Sequence, residues 1–265
     1  MSKFRYKNPP IVERVIGVYH QIPQDEFEKR LPAWEEKIRA DFPRRQEVAE
    51  WLINIEEKNG VPMVQSLIPK ASIIHLYWQK HLHRARVLGM RVRPDRLVFH
   101  LCREDGNIHD FDELMPNMER WLPQWAEHFG VTDLEGISVE YYNRLDGNIT
   151  PQFADQNGVR IAEALNVFAN FSGSHLGLIP PYECKVRLVF NKDKPTYLTV
   201  RVGNDSNITN AIRVDFSVHT GNPGRDAKTL TFGDAISEIR TGHDLILEQF
   251  SSFFTDRARV SFEPL

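Results

Sequence analysis

The stretch Ile137–Asp146, ISVEYYNRLD, lies near the middle of the chain and opens the second of two similar halves. Its apolar residues, among them Val139 and Tyr141, alternate with polar residues, which is the pattern of a strand with one buried face. A polar pair, Asn143 and Arg144, stands at the end of this otherwise buryable segment. We therefore predict a strand here, from which the two halves of the fold can be compared.

The chain before this stretch begins with one strand and one helix. Ile11–His20 is rich in β-branched residues and predicts a strand. An amphipathic helix is predicted from Asp25 to Asp41, with a kink or a late start at Pro32. Its apolar stripe consists of Phe27, Leu31, Trp34 and Ile38.

Five further strands and a second helix are predicted before residue 130. The strands are Val48–Glu57, Val61–Pro69, Ser72–Gln79, Arg84–Arg93 and Arg96–Arg103. Asn59-Gly60 is a strong signal for a two-residue hairpin, and Pro94-Asp95 favours a turn between the last two strands. The helix Asp112–Phe129 should follow, with Asp110 as its N-cap and Gly130 at its end.

The second half repeats this order in a looser form. A short helix is predicted over Gly158–Phe168, and Phe171–Leu178 is a strand weakened by its glycines. Three firmer strands are Glu183–Phe190, Thr196–Val202 and Ala211–Val218. The last helix, Phe232–Phe254, should be capped by Thr231 with Asp234 in a capping box. Its apolar stripe is Ile236, Ile239, His243, Ile246, Phe250 and Phe253.

Each half therefore has the order β-α-(several β)-α, which predicts an α+β fold with duplicated units. That order is typical of a curved antiparallel sheet covered on one face by a long helix, as in TATA-binding-protein-like and helix-grip folds. The predicted units are residues 1–134 and 135–265, joined as one continuous saddle. A fold-level analogy of this kind carries no function with it.

Composition and charge narrow the class of protein. Hydrophobic residues make up 41% of the chain, enough for a sizeable core without disulfides or metals. Two distant cysteines, Cys102 and Cys184, and the lack of a leader-like or membrane-spanning apolar run predict a cytoplasmic protein. Residues 1–103 hold 19 Lys+Arg and 12 Asp+Glu, so +7, while the remaining residues hold 14 and 24, so −10. This asymmetry favours an anionic partner or attraction between the halves or between two copies.

A row of arginines is the most suggestive candidate for a binding surface. Arg84 and Arg86 share one strand parity, whereas Arg91 and Arg93 have the other, and a bulge at Gly89 would bring all four together. Arg96 begins the next strand and could join them. Guanidinium groups bind phosphates in two-pronged fashion, so this face could hold a small anion or nucleic acid. Alternatively, these arginines form a solvated face paired with acids of the second half.

Asn143 and Arg144 are the second candidate for a binding site. They could line the mouth of a groove between the halves. Alternatively, Arg144 connects the halves through backbone carbonyls or an acidic side chain.

Metal and catalytic chemistry have weaker support. His81 and His83, with His75 on the neighbouring strand, lack the further ligands that a zinc site needs, and His109, Asp110 and Asp112 are better explained by helix capping. Asp41 with Glu56 and Lys58, or Glu183 with Lys185, has the residue types of a metal-dependent nuclease. Gly203–Asn207 is a turn, since no Lys-Ser/Thr follows it. We therefore expect no cofactor and no resident metal.

Three segments carry a resemblance to known sequences: Lys7 to Glu13, KNPPIVE; Tyr142-Asn143-Arg144; and the closing helix from Phe250 to Thr255-Asp256. In these segments the chain resembles a sporadically distributed bacterial family of uncharacterised proteins, which are not known as enzymes. The order before Asn143 departs from the family, where Arg-Tyr-x-Asn-Arg is expected. The patchy distribution of the family implies a defence-linked or mobile locus.

These observations favour a non-catalytic binding or scaffold protein, within a bacterial defence or toxin–antitoxin-like assembly. We expect it to bind a protein partner or to self-associate, and we expect no association with a membrane. A metal-dependent nuclease using the Glu-x-Lys carboxylates is one alternative. A sensor of a small anionic ligand or nucleic acid on the Arg84–Arg96 face is the other.

Overall fold

The computed structural model of this protein describes residues 9–58, 61–78, 86–103, 111–155, 158–166, 175–176, 183–191, 196–204, 211–221 and 229–263. The first half supplies five strands: β1 (Ile11–Tyr19), β2 (Arg44–Lys58), β3 (Val61–Trp78), β4 (Arg86–Arg93) and β5 (Arg96–Arg103). Its helices are α1 (Gln24–Ile38) and α2 (Leu114–Phe129), the latter preceded by a 3-10 turn at Phe111–Glu113.

The second half contributes seven described strands and three helices. The strands are β6 (Gly136–Leu145), β7 (Ala154–Asp155), β8 (Gly158–Arg160), β9 (His175–Leu176), β10 (Glu183–Asn191), β11 (Thr196–Asn204) and β12 (Ile212–Gly221). The helices are α3 (Ile161–Ala164), α4 (Phe232–Phe253) and α5 (Asp256–Ser261).

One large antiparallel sheet joins both halves, which confirms the α+β class. Its nine strands lie in the order β10-β11-β12-β6-β1-β5-β4-β3-β2. The halves meet where β1 pairs antiparallel with β6, from Ile11 opposite Asn143 to Tyr19 opposite Gly136. The second half therefore lies at one end of the sheet and the first half at the other. The basic excess of residues 1–103 is offset by the acids of residues 104–134 in the same half, so that residues 1–134 hold 20 Lys+Arg and 20 Asp+Glu.

The helices α1, α2 and α4 cover one face of this sheet. Ile16 pairs with Val139 across the junction, and both are fully buried. Gly242 of α4 lies close enough to Val139 that a Cβ there would be 3.1 Å from its Cγ2 atom. Trp34 of α1 packs edge-on against Trp125 of α2, with ring centroids 5.1 Å apart. The core therefore lies between the helices and the alternate strand residues that face them.

Both predicted stripes of the long helices are on the buried side. In α2 the buried residues include Leu114, Met118, Trp121, Leu122, Trp125 and Phe129. In α4, Ile239, Ile246 and Phe250 are buried, and Ile236 and Phe253 pack against the core. The capping box of Thr231 and Asp234 is present, and Gly130 ends α2 with a positive φ of 70°.

Several predicted boundaries are wrong. The helix predicted over Gly158–Phe168 is a short strand, β8, followed by the four-residue α3, and residues 167 and 168 lie outside the described residues. The strands predicted over Val48–Glu57, Val61–Pro69 and Ser72–Gln79 form only two, because Pro69 is accommodated opposite Trp51 without ending β3. The first helix begins at Gln24, so the late start at Pro32 does not occur.

The strands β2 and β3 extend beyond the rest of the sheet as a two-stranded arm. Among the described residues, β3 pairs with β4 only from His75 to Trp78, whereas it pairs with β2 as far as Val61 opposite Lys58. We define the arm as residues 48–58 and 61–74. At about 3.3 Å per residue, its 11 residues of β2 reach about 35 Å. Asn59 and Gly60 lie outside the described residues, between the two paired strand ends.

Candidate functional site

The face of the sheet opposite α1, α2 and α4 carries polar residues from both halves, and we call it the polar face. The strand registers align one row of residues across five neighbouring strands. From the second half to the first, this row is Arg201, Asp215, Tyr142, Glu13 and Cys102. Residues directly opposite one another in antiparallel strands share a face, so these five project from the same side. The row crosses the junction between the halves.

Glu13, His100 and Cys102 form a compact cluster on this polar face. His100 Nδ1 lies 3.3 Å from Glu13 Oε1 and 3.6 Å from Cys102 Sγ. The three potential ligand atoms all lie within 4.8 Å of one another. His100 and Cys102 alternate along β5, while Glu13 stands directly opposite Cys102 on β1. The antiparallel pairing of two strands distant in sequence thus assembles the cluster.

Burial and the neighbouring charges shift the pKa values of two residues in the cluster, Glu13 and Cys102. Burial alone would raise the pKa of Glu13, but its hydrogen bond and charge interaction with His100, with contributions from Cys102 and Arg91, hold that pKa below its usual value. Burial raises the pKa of the Cys102 thiol, and the neighbouring Glu13 carboxylate raises it further. The thiol is therefore neutral in the protein as it stands, and Arg91 is the nearby cation.

The His100 ring is held in place by its neighbours on β3 and β4. Its centroid lies 4.7 Å from that of the Trp78 ring. A Cβ at Gly89 would collide with His100 Nε2 and lie 2.8 Å from Trp78 Cε3. Only a residue without a side chain leaves room for the imidazole here. The absence of a side chain at Gly89 therefore allows the His100 ring to occupy its observed position.

A second polar group lies in the same row on the side of the second half. Asp215 receives a 3.3 Å hydrogen bond from Arg213 Nε, and Tyr142 donates its hydroxyl to Glu140. Burial raises the pKa of Asp215 to about 6, against the lowering effects of Arg213 and Arg201. Tyr142 also has a raised pKa, first from burial and then from Glu140. Asp215 is therefore a carboxyl group whose protonation changes near pH 6.

The predicted arginine face is only partly assembled. The pairing of β4 with β5 is continuous from Arg86 opposite Arg103 to Arg93 opposite Arg96, so the bulge at Gly89 that would have brought the four arginines together does not occur. Arg91, Arg93 and Arg96 therefore share the polar face, while Arg86 has the strand parity of the buried Leu88 and Met90. Arg84 and the side chain of Arg86 lie outside the described part of the structure.

Arg93 and Arg96 form ion pairs with a residue that is close to them in sequence. Asp95 lies 3.0 Å from Arg93 Nε and 3.1 Å from Arg96 Nη2. The partner is thus the turn between β4 and β5 rather than an acid of the second half. Arg91 differs, because it forms no ion pair among the described residues, and its Nε, like that of Arg93, is buried without a hydrogen bond. If the arginine row binds an anion, Arg91 is the member best placed to do so.

Asn143 and Arg144 lie on opposite faces of β6. Asn143 is fully buried, and its side-chain amide donates to the Val214 carbonyl at 2.7 Å. Arg144 Nε pairs with Asp146 at 2.7 Å, and its backbone N–H donates to the Pro10 carbonyl at 2.9 Å. Asn143 therefore connects β6 to β12 from within the core. The two residues do not line one groove, and a ligand-binding role for them stays a prediction.

The described residues of the nuclease and zinc hypotheses form contacts within the protein or lie apart from one another. Both carboxylate oxygens of Asp41 accept hydrogen bonds from Arg120 on α2, at 2.9 and 3.0 Å. His75 is buried on the helix side, 3.6 Å from Glu47. Asp112 is exposed in the turn before α2. His81, His83, His109 and Asp110 lie outside the described residues, as do the side chains of Glu56, Lys58, Glu183 and Lys185.

One polar cluster lies on the helix side, where sequence analysis expected an apolar stripe. The hydroxyl of Tyr141 is hydrogen-bonded to His243 Nδ1, and the His243 ring stacks on Phe111 with centroids 4.0 Å apart. The guanidinium of Arg14 lies 4.7 Å from the centre of the Tyr141 ring. These contacts explain how a histidine fits into the stripe of α4.

Sequence analysis missed Glu13, His100, Cys102 and Asp215. The only local signal was His100-x-Cys102, because residues two apart in a strand share a face. Glu13 could be assigned to the cluster only if β1 were known to lie beside β5, although about 80 residues separate the two strands in the sequence. The sequence shows the alternation of residues within each strand, but it does not show which strands are neighbours.

Comparison of the sequence with known proteins does not assign the chain to a family. The sequence matches no protein-family model and no curated protein. Among the described residues, no helix has both the length and the apolar character needed to cross a membrane.

Proposed function

We propose that this protein is a non-catalytic binding protein that assembles with a second copy of itself through the arm. The observation that carries the proposal is that β3 leaves β4 at His75 while its pairing with β2 continues to the tip. A two-stranded ribbon is marginally stable in water unless a further strand or a packed surface covers it. A partner surface would provide that cover.

The sequence of the arm suits burial against protein. Its register pairs Trp51 with Pro69, Leu52 with Ile68 and Ile53 with Leu67, and all six of these residues are apolar. This run of apolar pairs, which we call the apolar row of the arm, is typical of a segment that is buried against a partner.

A second copy is the partner we favour, because it presents the same two-stranded arm and two arms can cover each other in a symmetric contact. Charge does not select the partner, since residues 1–134 hold 20 Lys+Arg and 20 Asp+Glu and residues 135–265 hold 13 and 16. The bacterial defence or toxin–antitoxin-like setting suggested by the family resemblance stays a prediction.

The test is the mass of the full chain in solution, measured by light scattering and sedimentation over a range of concentrations. We expect the wild type to dimerise and Ile53→Glu to be monomeric, because the substitution places a charge in the apolar row. Val260→Glu is the matched control, since Val260 is 71% exposed on α5, away from the arm. A wild type that is monomeric throughout, or Ile53→Glu that associates like wild type, refutes the proposal.

We also propose that the fold is a duplication of one unit, over residues 1–134 and 135–265, in a TATA-binding-protein-like or helix-grip-like saddle. Strand order supports this. In the first half β1 lies beside the last strand, β5, and the others follow in reverse as β4, β3 and β2. In the second half β6 lies beside β12, followed by β11 and β10. The two series meet at β1 and β6.

A further inference from the structure

We propose that Glu13, His100 and Cys102 bind a divalent transition-metal ion of the zinc class, with a fourth coordination position left open. The site is independent of the arm and of the assembly proposed above. Within the part of the chain that the structure describes, it is the one trio of His, Cys and carboxylate groups close enough to share an ion.

Two of the three separations in the cluster match the edges of a tetrahedral metal site, and the third, between Glu13 and Cys102, is no longer than 4.8 Å. Zinc lies about 2.0–2.1 Å from histidine nitrogen, about 2.0–2.2 Å from carboxylate oxygen and about 2.3 Å from thiolate sulfur. At tetrahedral angles these bond lengths place nitrogen about 3.4 Å from oxygen and about 3.6 Å from sulfur. The observed distances from His100 Nδ1 are 3.3 Å to Glu13 Oε1 and 3.6 Å to Cys102 Sγ. An ion could therefore enter with little movement of these side chains.

The donor set selects the class of ion. One imidazole nitrogen, one thiolate and one carboxylate suit a borderline ion such as Zn²⁺ or Co²⁺. Mg²⁺ and Ca²⁺ prefer oxygen ligands at higher coordination numbers, and a thiolate is a poor ligand for either. On binding, the Cys102 thiol releases its proton to solvent and the sulfur forms the bond to the metal.

The protein holds the histidine in the orientation that such a site requires. Nε2 faces Gly89 and Trp78 in the interior, and His100 is 2% exposed. Nδ1, in contrast, faces both Glu13 and Cys102. Nδ1 is therefore the nitrogen that an ion can reach, and the ring cannot easily turn away from it.

Arg91 indicates what would fill the open position. The carboxylate and the thiolate together neutralise a divalent ion, so Arg91 leaves the site with a net positive charge. Arg91 lies on β4 opposite Val98 of β5, on the same polar face as His100 and Cys102. An ion in this environment favours an anionic fourth ligand or a metal-bound hydroxide.

The test is titration of the metal-free, reduced full chain with Co²⁺, followed by absorption spectroscopy and by displacement with Zn²⁺. We expect one ion per chain, the intense visible bands of tetrahedral cobalt and a near-ultraviolet thiolate-to-cobalt band. Cys102→Ser should abolish the thiolate band, and Glu13→Gln should weaken binding roughly tenfold or more. Glu13 is partly exposed, and glutamine keeps its shape, so this variant should fold even if a change at His100 does not.

The matched controls are Cys184→Ser, which changes the other cysteine, and His75→Gln, which changes another buried histidine beside a carboxylate. Both should keep the cobalt spectrum and the affinity of the wild type. The proposal is overturned if the wild type gives no tetrahedral cobalt spectrum. It is also overturned if the thiolate band survives in Cys102→Ser, or if Glu13→Gln binds as tightly as the wild type.

Discussion

Replacing Asp215 with asparagine should change how the stability of this protein depends on pH. Asp215 lies on β12 with a side chain that is 11% exposed, flanked by Arg213, Arg201, Glu140 and Tyr142. Burial raises its pKa from the ordinary 3.8 to about 6, because the arginines only partly offset the loss of hydration and Glu140 adds repulsion. The folded protein therefore holds this proton more tightly than the unfolded chain does.

The sign and size of the effect follow from that difference. Between about pH 4 and about pH 6 the folded state binds more protons than the unfolded state, so this group makes stability fall as pH rises and then level off. Each tenfold difference in proton affinity is worth about 1.4 kcal/mol, so the total is on the order of 3 kcal/mol. Asparagine resembles the protonated acid and should not carry this cost.

The assay is urea unfolding of wild type and Asp215→Asn across that pH range, compared as a difference so that the other carboxyl groups cancel. We expect equal stability near pH 4 and a more stable variant above pH 6, by up to about 3 kcal/mol. Asp133→Asn is the control, since Asp133 is exposed. A difference that stays constant with pH, or that grows toward low pH, would refute this account of Asp215.

Two further substitutions test the packing. Phe250 is 2% exposed and lies 4.5 Å from Phe254 between ring centroids, so Phe250→Ala should lower the unfolding free energy by about 3–5 kcal/mol in a urea titration. Gly89→Ala should cost about 1–3 kcal/mol because its methyl group collides with His100, and in the cobalt titration it should weaken binding by moving Nδ1. Gly147→Ala is its control, because a Cβ at Gly147 meets nothing within 4 Å. A Gly89→Ala protein with the stability and cobalt affinity of wild type would contradict the proposed role of Gly89.

The helices and most strands could be predicted because their signals are local. The stripe from Ile236 to Phe253 repeats every three or four residues, and the capping box of Thr231 and Asp234 marks its start. The hairpin of β4 and β5 follows from Pro94-Asp95 in the same way. The failure over Gly158–Phe168 arose because apolar residues at helical spacing also fit a strand followed by one helical turn.

The contacts between strands could not be predicted, because they depend on register between distant segments. Arg91 and Arg96 look alike in sequence, yet Arg96 is paired with Asp95 while Arg91 lies near Glu13. A missing bulge at Gly89 was enough to separate Arg86 from the other arginines, since a shift of one residue moves a side chain to the other face.

A bulge does occur in β1, the strand that supplies Glu13 to the cluster. Ile11 is opposite Asn143, whereas Glu13 is opposite Tyr142, so the register shifts by one residue between them. In a regular strand Ile11 and Glu13 would share a face, and Glu13 would enter the core beside Tyr141. The bulge instead allows Ile11 to be buried with Asn143 on the helix side while Glu13 reaches the polar face. The short segment Pro10–Glu13 thus satisfies the core and delivers the carboxylate to His100 and Cys102. Restoring a regular register there would remove one of the three proposed ligands.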